Sequence, residues 1–137
     1  MREPIWLSKA IVLALQEEQL AEHGGRTGVR DEGLLDSALD RPKNRFLHGE
    51  ADICDFAAAY AYGLAKNHAF VDGNKRTSLV VSETFLNLNG YELRATDEDV
   101  LMAWLALADG TMSEAELIEW FRKYASPLSP PSPVSSR

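Results

Sequence analysis

Apolar residues recur at helical spacing along most of the chain, and short polar or glycine-containing segments separate the repeats. One repeat has its apolar residues at i, i+3, i+7 and i+11, on a single helix face: Ile53, Phe56, Tyr60 and Leu64. No segment alternates apolar and polar residues for long enough to require a strand. The pattern therefore predicts an all-α fold, a compact bundle of about six helices.

Capping residues and helix breakers indicate where the helices begin and end. Five residues that precede an apolar repeat are suited to cap a helix N-terminus: Ser8, Asp31, Asp52, Thr96 and Ser113. Gly24 and Gly25 are expected to end the first helix. Pro42 is expected to end the second helix, because the residue before a proline disfavours α geometry. Residues 42–51 are then expected to form a polar link.

The fourth predicted helix, at about residues 74–89, is apolar around most of its circumference. Its apolar residues are Leu79, Val80, Val81, Phe85, Leu86 and Leu88. A helix of this kind belongs in the interior of a fold. We therefore expect the fourth helix to be the buried centre of the bundle.

The last twelve residues differ in composition from the rest of the chain. Residues 126–137 contain five serines, four prolines and one charged residue. Such a segment cannot bury enough apolar surface to offset the entropy lost on ordering. We predict one helical domain over residues 1–125 and a disordered Ser/Pro-rich tail over residues 126–137. A proline-rich ligand motif at residues 127–130 is the alternative.

The charge and cysteine content of the 137-residue chain narrow its class. With 21 acidic and 14 basic residues, the net charge of −7 argues against general nucleic-acid binding, which requires excess Lys and Arg. The chain has no apolar run of the ~18 residues that would predict a membrane span, and its N-terminus lacks the features of a secretory signal. Because Cys54 is the single cysteine, no intramolecular disulfide or cysteine-based zinc site is expected, which fits a reducing cytoplasm.

Residues 68–76, His-Ala-Phe-Val-Asp-Gly-Asn-Lys-Arg, concentrate chemical groups between the third and fourth predicted helices. The start of a helix offers free N–H groups and a partial positive charge, and Lys75 and Arg76 add two full charges. Asp72 is a hard oxygen ligand suited to Mg²⁺ that bridges phosphates, and His68 can accept a proton near neutral pH. This combination is typical of nucleotide-dependent group transfer.

Residues 68–76 resemble the signature of the Fic/Doc family, His-x-Phe-x-Asp/Glu-Gly-Asn-x-Arg, and residues 31–42 are similar to the Doc pattern. The resemblance covers roughly residues 4–124 and is closest to the Doc (death-on-curing) branch, the toxins of bacterial toxin–antitoxin pairs. Lys75 stands where adenylylating members usually carry Gly, and Leu79 stands where they usually carry a second Arg. Ala69 replaces the Pro of many Fic motifs, at a position where Doc proteins vary.

This resemblance implies a Fic/Doc-like fold and a Mg²⁺-dependent protein kinase of the bacterial cytoplasm. Such an enzyme transfers the γ-phosphate of ATP, or of another nucleoside triphosphate, to a threonine hydroxyl of elongation factor Tu and arrests translation. By position, His68 would be the catalytic base, Asp72 would hold Mg²⁺ and Phe70 would be structural. The residues expected to bind phosphate are Gly73, Asn74, Lys75 and Arg76.

The resemblance also implies protein partners. Fic enzymes that inhibit themselves carry a Ser/Thr-x-x-x-Glu-Gly/Asn helix, and the nearest match, residues 27–33, has a spacing that is one residue too long. Inhibition is therefore expected in trans, from a cognate antitoxin whose disordered segment folds onto the toxin. The link at 42–51 is the candidate docking segment for the target, through Lys43 and Arg45, and a merely solvated connection is the alternative.

Two alternatives to the kinase remain open at this point. The first is a Fic-type adenylyltransferase or other nucleotidyltransferase, which Lys75 and Leu79 disfavour. The second is a catalytically idle binding module with a Fic fold, which the filled motif disfavours. The first alternative is distinguished from a kinase by which phosphate of ATP is transferred to the target. The second alternative is distinguished from a kinase by the effect of replacing His68.

Overall fold

The computed structural model describes residues 2–49 and 51–128, and this part of the chain forms six helices and two short strands. The helices are α1 (Lys9–His23), α2 (Glu32–Leu47), α3 (Ile53–Asn67), α4 (Asn74–Leu88), α5 (Asp97–Asp109) and α6 (Glu114–Tyr124). The strands are β1 (Tyr91–Leu93) and β2 (Ala125–Pro127). The predicted helical fold class is confirmed.

Side chains cap the N-termini of five helices, at the residues that the sequence predicts. The capping side chains are those of Ser8, Asp31, Asp52, Thr96 and Ser113, each of which accepts a hydrogen bond from a main-chain N–H of the first turn. In α3, α5 and α6 the third helical residue bonds back to the cap and completes a capping box. Most of the helix starts are therefore defined by hydrogen bonds within the first turn.

The buried central helix is α3, so the prediction that the fourth helix would occupy the centre is wrong. Twelve of the fifteen residues of α3 are buried, whereas α4 has six buried residues and its Leu88 is exposed. The reason lies in small side chains: Ala57, Ala58, Ala59 and Ala61 are fully buried. Other helices can pack closely against several sides of an alanine-rich helix. The wide distribution of apolar residues around α4 did not indicate that α3 would be the central helix.

Helix α2 continues through Pro42 to Leu47, so the expected polar link at 42–51 is wrong for its first six residues. Proline removes one intrahelical hydrogen bond and strains the preceding turn. Here Pro42 is itself buried and extends the apolar stripe of α2 that faces α3, formed by Leu35, Ala38 and Leu39. Packing of this stripe offsets the local cost, because tertiary contacts override helix propensity.

The two strands form an antiparallel pair that the sequence does not predict. Tyr91 pairs with Pro127 and Leu93 with Ala125, and the N–H of Leu128 donates to the carbonyl of Gly90. Segments of three residues are too short for alternation to be recognised. Because β2 includes residues 126 and 127, the folded part extends past the boundary expected at 125. Residues 129–137, and with them the last two residues of the proline-rich motif at 127–130, lie outside the described residues.

The loop between α1 and α2 runs alongside the loop between α3 and α4. Val29 and Phe70 form an isolated antiparallel bridge, and the N–H groups of Arg30 and Asp31 both donate to the carbonyl of Ala69. This main-chain pairing fixes residues 68–73 against the fold. Within the described residues, no helix is both long enough and apolar enough to cross a membrane.

Candidate functional site

The loop that leads into α4 is held by the side chain of Asn74. Its Oδ1 accepts from the N–H of Phe70 and its Nδ2 donates to the carbonyl of the same residue, each over 3.0 Å. The Phe70 ring is buried in the core, as the sequence predicts. The side-chain amide of Asn74 therefore holds the loop, and its main-chain N–H lies at the uncapped start of α4.

The N-cap residue of α4 is Gly73, so this helix lacks the side-chain cap that the five other helices of the described residues have. Gly73 has a left-handed φ of 76°, and a Cβ at this position would stand 3.2 Å from Cδ2 of Leu20. The first-turn N–H groups of α4 consequently open into a cavity rather than into a capping side chain. Unsatisfied N–H groups and the helix dipole make this end attractive to an anion.

His68 ends α3 in a left-handed conformation, with φ 51° and ψ 46°. Arg30 stabilises this conformation, because its Nε donates to the carbonyl of His68 over 2.8 Å and its Nη2 to the carbonyl of Asn67 over 3.4 Å. A guanidinium at a helix C-terminus is also favoured by the helix dipole. The exposed imidazole lines the same cavity as the start of α4.

Asp72 is fixed from two sides by groups outside the motif. Its Oδ2 accepts from the main-chain N–H of Arg26 over 2.7 Å, and its carbonyl accepts from Nε2 of the buried Gln16 over 3.4 Å. No hydrogen bond to Oδ1 is found within residues 2–49 and 51–128. One carboxylate oxygen is thus held by the protein and the other is left for a ligand.

Lys75 and Arg76 are exposed, and neither forms an ion pair within the part of the chain that the structure describes. In a chain of net charge −7, two uncompensated cations beside an uncapped helix start create a local positive region. This region is suited to a small, highly charged anion such as a triphosphate.

One cavity of about 650 Å³ brings the predicted residues together. Its polar lining includes His68, Asp72, Gly73, Asn74, Lys75 and Arg76. Its other wall is mostly apolar and comes from α5 and one residue of α4: Leu79, Val100, Leu101, Trp104 and Leu105. Asp97 stands at the beginning of α5 on the same wall. The cavity therefore has a charged end and an apolar end.

Lys43 and Arg45, the predicted docking residues, lie on the last turns of α2 and do not line this cavity. Nη2 of Arg45 pairs with Oδ1 of the buried Asp55 over 2.8 Å, which makes this side chain part of the helix packing. The expectation of a polar link is corrected, because residues 42–47 are helical, and docking of a target through Lys43 and Arg45 stays a prediction. The segment that lies along the motif is instead the α1–α2 loop.

The sequence did not indicate the second layer of the site. Arg26 holds the Asp72 carboxylate through its main-chain N–H, whereas the side chains of Arg30 and Gln16 donate to the carbonyls of His68 and Asp72. No pair of side chains is therefore left to recognise in the sequence. The glycines at 24, 25 and 28 are the one signal in the sequence, because all three adopt positive φ in a tight loop. Helix α5 also lines the cavity, although its residues lie far from the motif in the sequence.

The donor set fits a magnesium ion that arrives with a nucleotide. Mg²⁺ typically takes one or two carboxylates, and phosphates and water complete its coordination. Asp72 supplies one such carboxylate at the edge of the cavity. No group of three or more His, Cys, Asp or Glu residues within the described ranges forms a metal site made by the protein alone.

Comparisons with known proteins agree with the motif. The model of the Fic/DOC family matches residues 6–86. Toxin Doc of Mycolicibacterium smegmatis is 49% identical over 79 residues, which are 56% of this chain and 60% of that protein. Protein kinase doc of Escherichia phage P1 is 27% identical over 118 residues, which are 85% of this chain and 93% of that protein. This chain therefore matches less than two thirds of the length of the first relative.

Proposed function

The chain belongs to the Fic/DOC family, and we propose that it is the toxin of a toxin–antitoxin pair and acts as a protein kinase. In this proposal it transfers the γ-phosphate of a nucleoside triphosphate to a protein hydroxyl. The observation that carries the proposal is the uncapped start of α4, with Lys75 and Arg76, in one cavity with His68. The names of the two relatives, a toxin and a protein kinase, support the same reading.

His68 is the proposed general base. Its exposed imidazole takes the proton of the incoming hydroxyl as the oxygen attacks the γ-phosphorus. The new oxygen–phosphorus bond forms while the bond from the γ-phosphorus to the β,γ-bridging oxygen breaks, so ADP leaves with that electron pair. Arg30 contributes by holding the backbone of His68 in its left-handed conformation.

The start of α4 is the proposed phosphate clamp. The main-chain N–H groups of residues 74–76 and the side chains of Lys75 and Arg76 surround negative charge in the transferred group and on the leaving diphosphate. Preorganised donors of this kind lower the barrier, because they require no rearrangement as charge develops. Gly73 contributes by its left-handed φ of 76°, which lets the chain turn into the start of the helix.

Asp72 is the proposed magnesium ligand. Through its free carboxylate oxygen it would hold Mg²⁺, which neutralises phosphate charge when it is bound. The hydrogen bond from Arg26 keeps the carboxylate aimed at the cavity rather than folded back onto the loop.

Phosphoryl transfer is favoured over adenylylation by two positions in the cavity. Lys75 adds a side chain and a charge where adenylylating members usually carry Gly, and Leu79 provides an apolar surface where they usually carry Arg. Without the second Arg, the terminal phosphates are no longer gripped beyond the helix start. A nucleotide that presents its γ-phosphate at the helix start and at His68 suits these residues better.

Elongation factor Tu is the proposed target, modified at a threonine so that translation stops, which would place the enzyme in the cytoplasm. The α1–α2 loop pairs with the motif through Val29 and Phe70. We favour docking of the target along this loop because the loop lies beside the motif, whereas Lys43 and Arg45 do not line the cavity. A cognate antitoxin is the proposed inhibitor in trans, since the chain contains no matching inhibitory motif.

Labelled nucleotides test the reaction directly. The protein, purified free of antitoxin, is incubated with elongation factor Tu, Mg²⁺ and ATP that carries the label at either the γ- or the α-phosphate. Label from the γ position alone, lost on addition of a chelator, is expected. Label from the α position alone would establish adenylylation instead. If neither label is transferred and growth arrest survives replacement of His68 by Ala, the chain is a binding module.

A further inference from the structure

The apolar wall that α5 contributes to the cavity has no role in binding phosphate. Leu101 and Leu105 are large apolar side chains that are 58% and 55% exposed, although both line the cavity. Leu79 of α4 lines it as well, one helical turn after Lys75. Exposed apolar side chains that converge on one concave surface indicate a site for an apolar ligand group.

Leu101 and Leu105 are held in place by a hydrogen-bonded connection between α5 and α4. Trp104 lies between them in the sequence, is only 6% exposed, and donates from Nε1 to Oγ of Ser78 over 2.8 Å. Ser78 in turn donates to the carbonyl of Lys75 over 2.7 Å. The apolar wall is therefore fixed relative to the first turn of α4, as a preorganised subsite requires.

We infer that Leu79, Leu101 and Leu105 form the nucleoside subsite of this cavity and hold the base of the triphosphate by contact with its face. This inference rests on the proposed function, because that function puts the γ-phosphate at His68 and the start of α4. From there the remaining phosphates, the sugar and the base extend toward Leu79 and α5. The size and polarity of the cavity match such a ligand, with its charged part at one end and its apolar part at the other.

The charges that line the cavity favour one direction for the ligand. Asp97, at the α5 end, repels phosphate, whereas Lys75 and Arg76 attract it at the α4 end. An apolar wall cannot replace the hydration of a phosphate, but it gains free energy when the face of a base displaces water from it. A ligand with a triphosphate and a base therefore fits in the orientation that puts its base on α5.

Binding of ATP and of inorganic tripolyphosphate, each with Mg²⁺, separates the two ends of the cavity. Both carry three phosphates, but only ATP carries a nucleoside. The test variant is Leu101→Ser combined with Leu105→Ser, which removes the wall without adding charge. Met102→Ser is the matched control, because Met102 lies on the same helix, is 66% exposed and does not line the cavity. Affinities are measured by calorimetry on the full chain.

We expect the double variant to weaken ATP binding about tenfold or more while tripolyphosphate binds as it does to the original chain. The control should bind both ligands normally. Equal losses for the two ligands, or an unchanged affinity for ATP, would overturn the inference. Unchanged ATP affinity combined with lost inhibition by the antitoxin would assign the wall to a protein partner.

The binding measurement tests the nucleoside subsite independently of the transfer reaction. If ATP binding follows the expectation and no label reaches a target, the nucleoside subsite stands and the kinase proposal fails. If label is transferred from the γ position but ATP binding ignores Leu101 and Leu105, the kinase stands and the subsite is wrong. A chain that binds neither ATP nor tripolyphosphate overturns both.

Discussion

The main-chain N–H of Arg26 donates a 2.7 Å hydrogen bond to Oδ2 of Asp72, so the α1–α2 loop aims the carboxylate of the motif. The geometry of this loop depends on Gly25, which precedes Arg26. A Cβ at position 25 would stand 2.7 Å from Cδ2 of Leu20 and 3.2 Å from Cβ of Asp72. Gly25 also has a φ of 129°, which side chains rarely adopt.

Replacing Gly25 with Ala should therefore move Asp72. We expect transfer to fall on the order of 10²-fold, because small displacements in a preorganised site are costly. The free energy of unfolding should fall by about 1–3 kcal/mol. Gly24→Ala is the matched control, since Gly24 also has a positive φ, of 83°, but would meet nothing within 4 Å. The Gly24→Ala control should lose some stability and keep its activity. Equal activity in the two variants would contradict the role of the α1–α2 loop in positioning Asp72.

Replacing His68 with Asn should separate chemistry from binding. Asn tolerates a left-handed backbone better than most residues, so the conformation at φ 51° should survive. Loss of the base should lower kcat by about 10²–10⁴-fold and leave the KM for ATP nearly unchanged. His48→Asn is the control, because His48 is exposed at the end of α2 and does not line the cavity. A variant at His68 that retains full kcat would eliminate the imidazole as the base.

Local chemistry explains what the sequence predicted well. The caps at Asp52 and Ser113 depend on contacts within one turn, so they could be identified without knowledge of the tertiary structure. The motif could also be identified from the sequence alone, because His68 and Lys75 are close in sequence and are connected by one turn. Their presence in one cavity follows from the helix start between them.

Tertiary packing explains what the sequence could not predict. Pro42 continues α2 because α3 buries it, and that partner is not visible in a local pattern. The wall at Leu101 and Leu105 is joined to α4 by the hydrogen bond from Trp104 to Ser78, a residue 26 positions away. Arg26 acts through its main-chain N–H, for which any residue type would serve.

The connection between Trp104 and Ser78 should be visible in stability. Ser78→Ala leaves the buried indole N–H without a partner and should cost about 1–3 kcal/mol of unfolding free energy in urea titrations. Ser82→Ala is a close control, since Ser82 is equally buried and donates to the carbonyl of Leu79 but accepts no indole N–H. Ser78→Ala combined with Trp104→Phe should cost less than the sum of the single changes. Additive costs would show that the hydrogen bond does not couple the two helices.

Asp55 connects three helices through its carboxylate. It is 5% exposed, and it accepts hydrogen bonds from Nη2 of Arg45 on α2, from Nη2 of Arg122 on α6 and from the N–H of Asp52. Burial alone raises the pKa of Asp55. The hydrogen bonds from Asp52 and Arg45 and the charge of Arg122 outweigh that effect, so the pKa of Asp55 lies below its ordinary value. The folded state therefore binds this proton less readily than the unfolded chain does.

The lowered pKa of Asp55 predicts that the fold loses stability in acid. The contribution of Asp55 to stability is fully present above its ordinary pKa and is lost as the pH falls through that value toward the lower pKa of the folded state.

Asp55→Asn should cost about 3 kcal/mol at pH 7, because it leaves Arg45 and Arg122 facing a neutral group. The cost should shrink as the pH is lowered, so urea titrations at several pH values should give converging curves for the variant and the original chain. Asp99→Asn is the control: Asp99 occupies the same capping-box position in α5, but it is only half-buried there and has no arginine partner within the described residues. A loss of stability at Asp55 that is no larger than the loss at Asp99, or that does not change with pH, would mean that the ion pairs among α2, α3 and α6 contribute nothing to the fold.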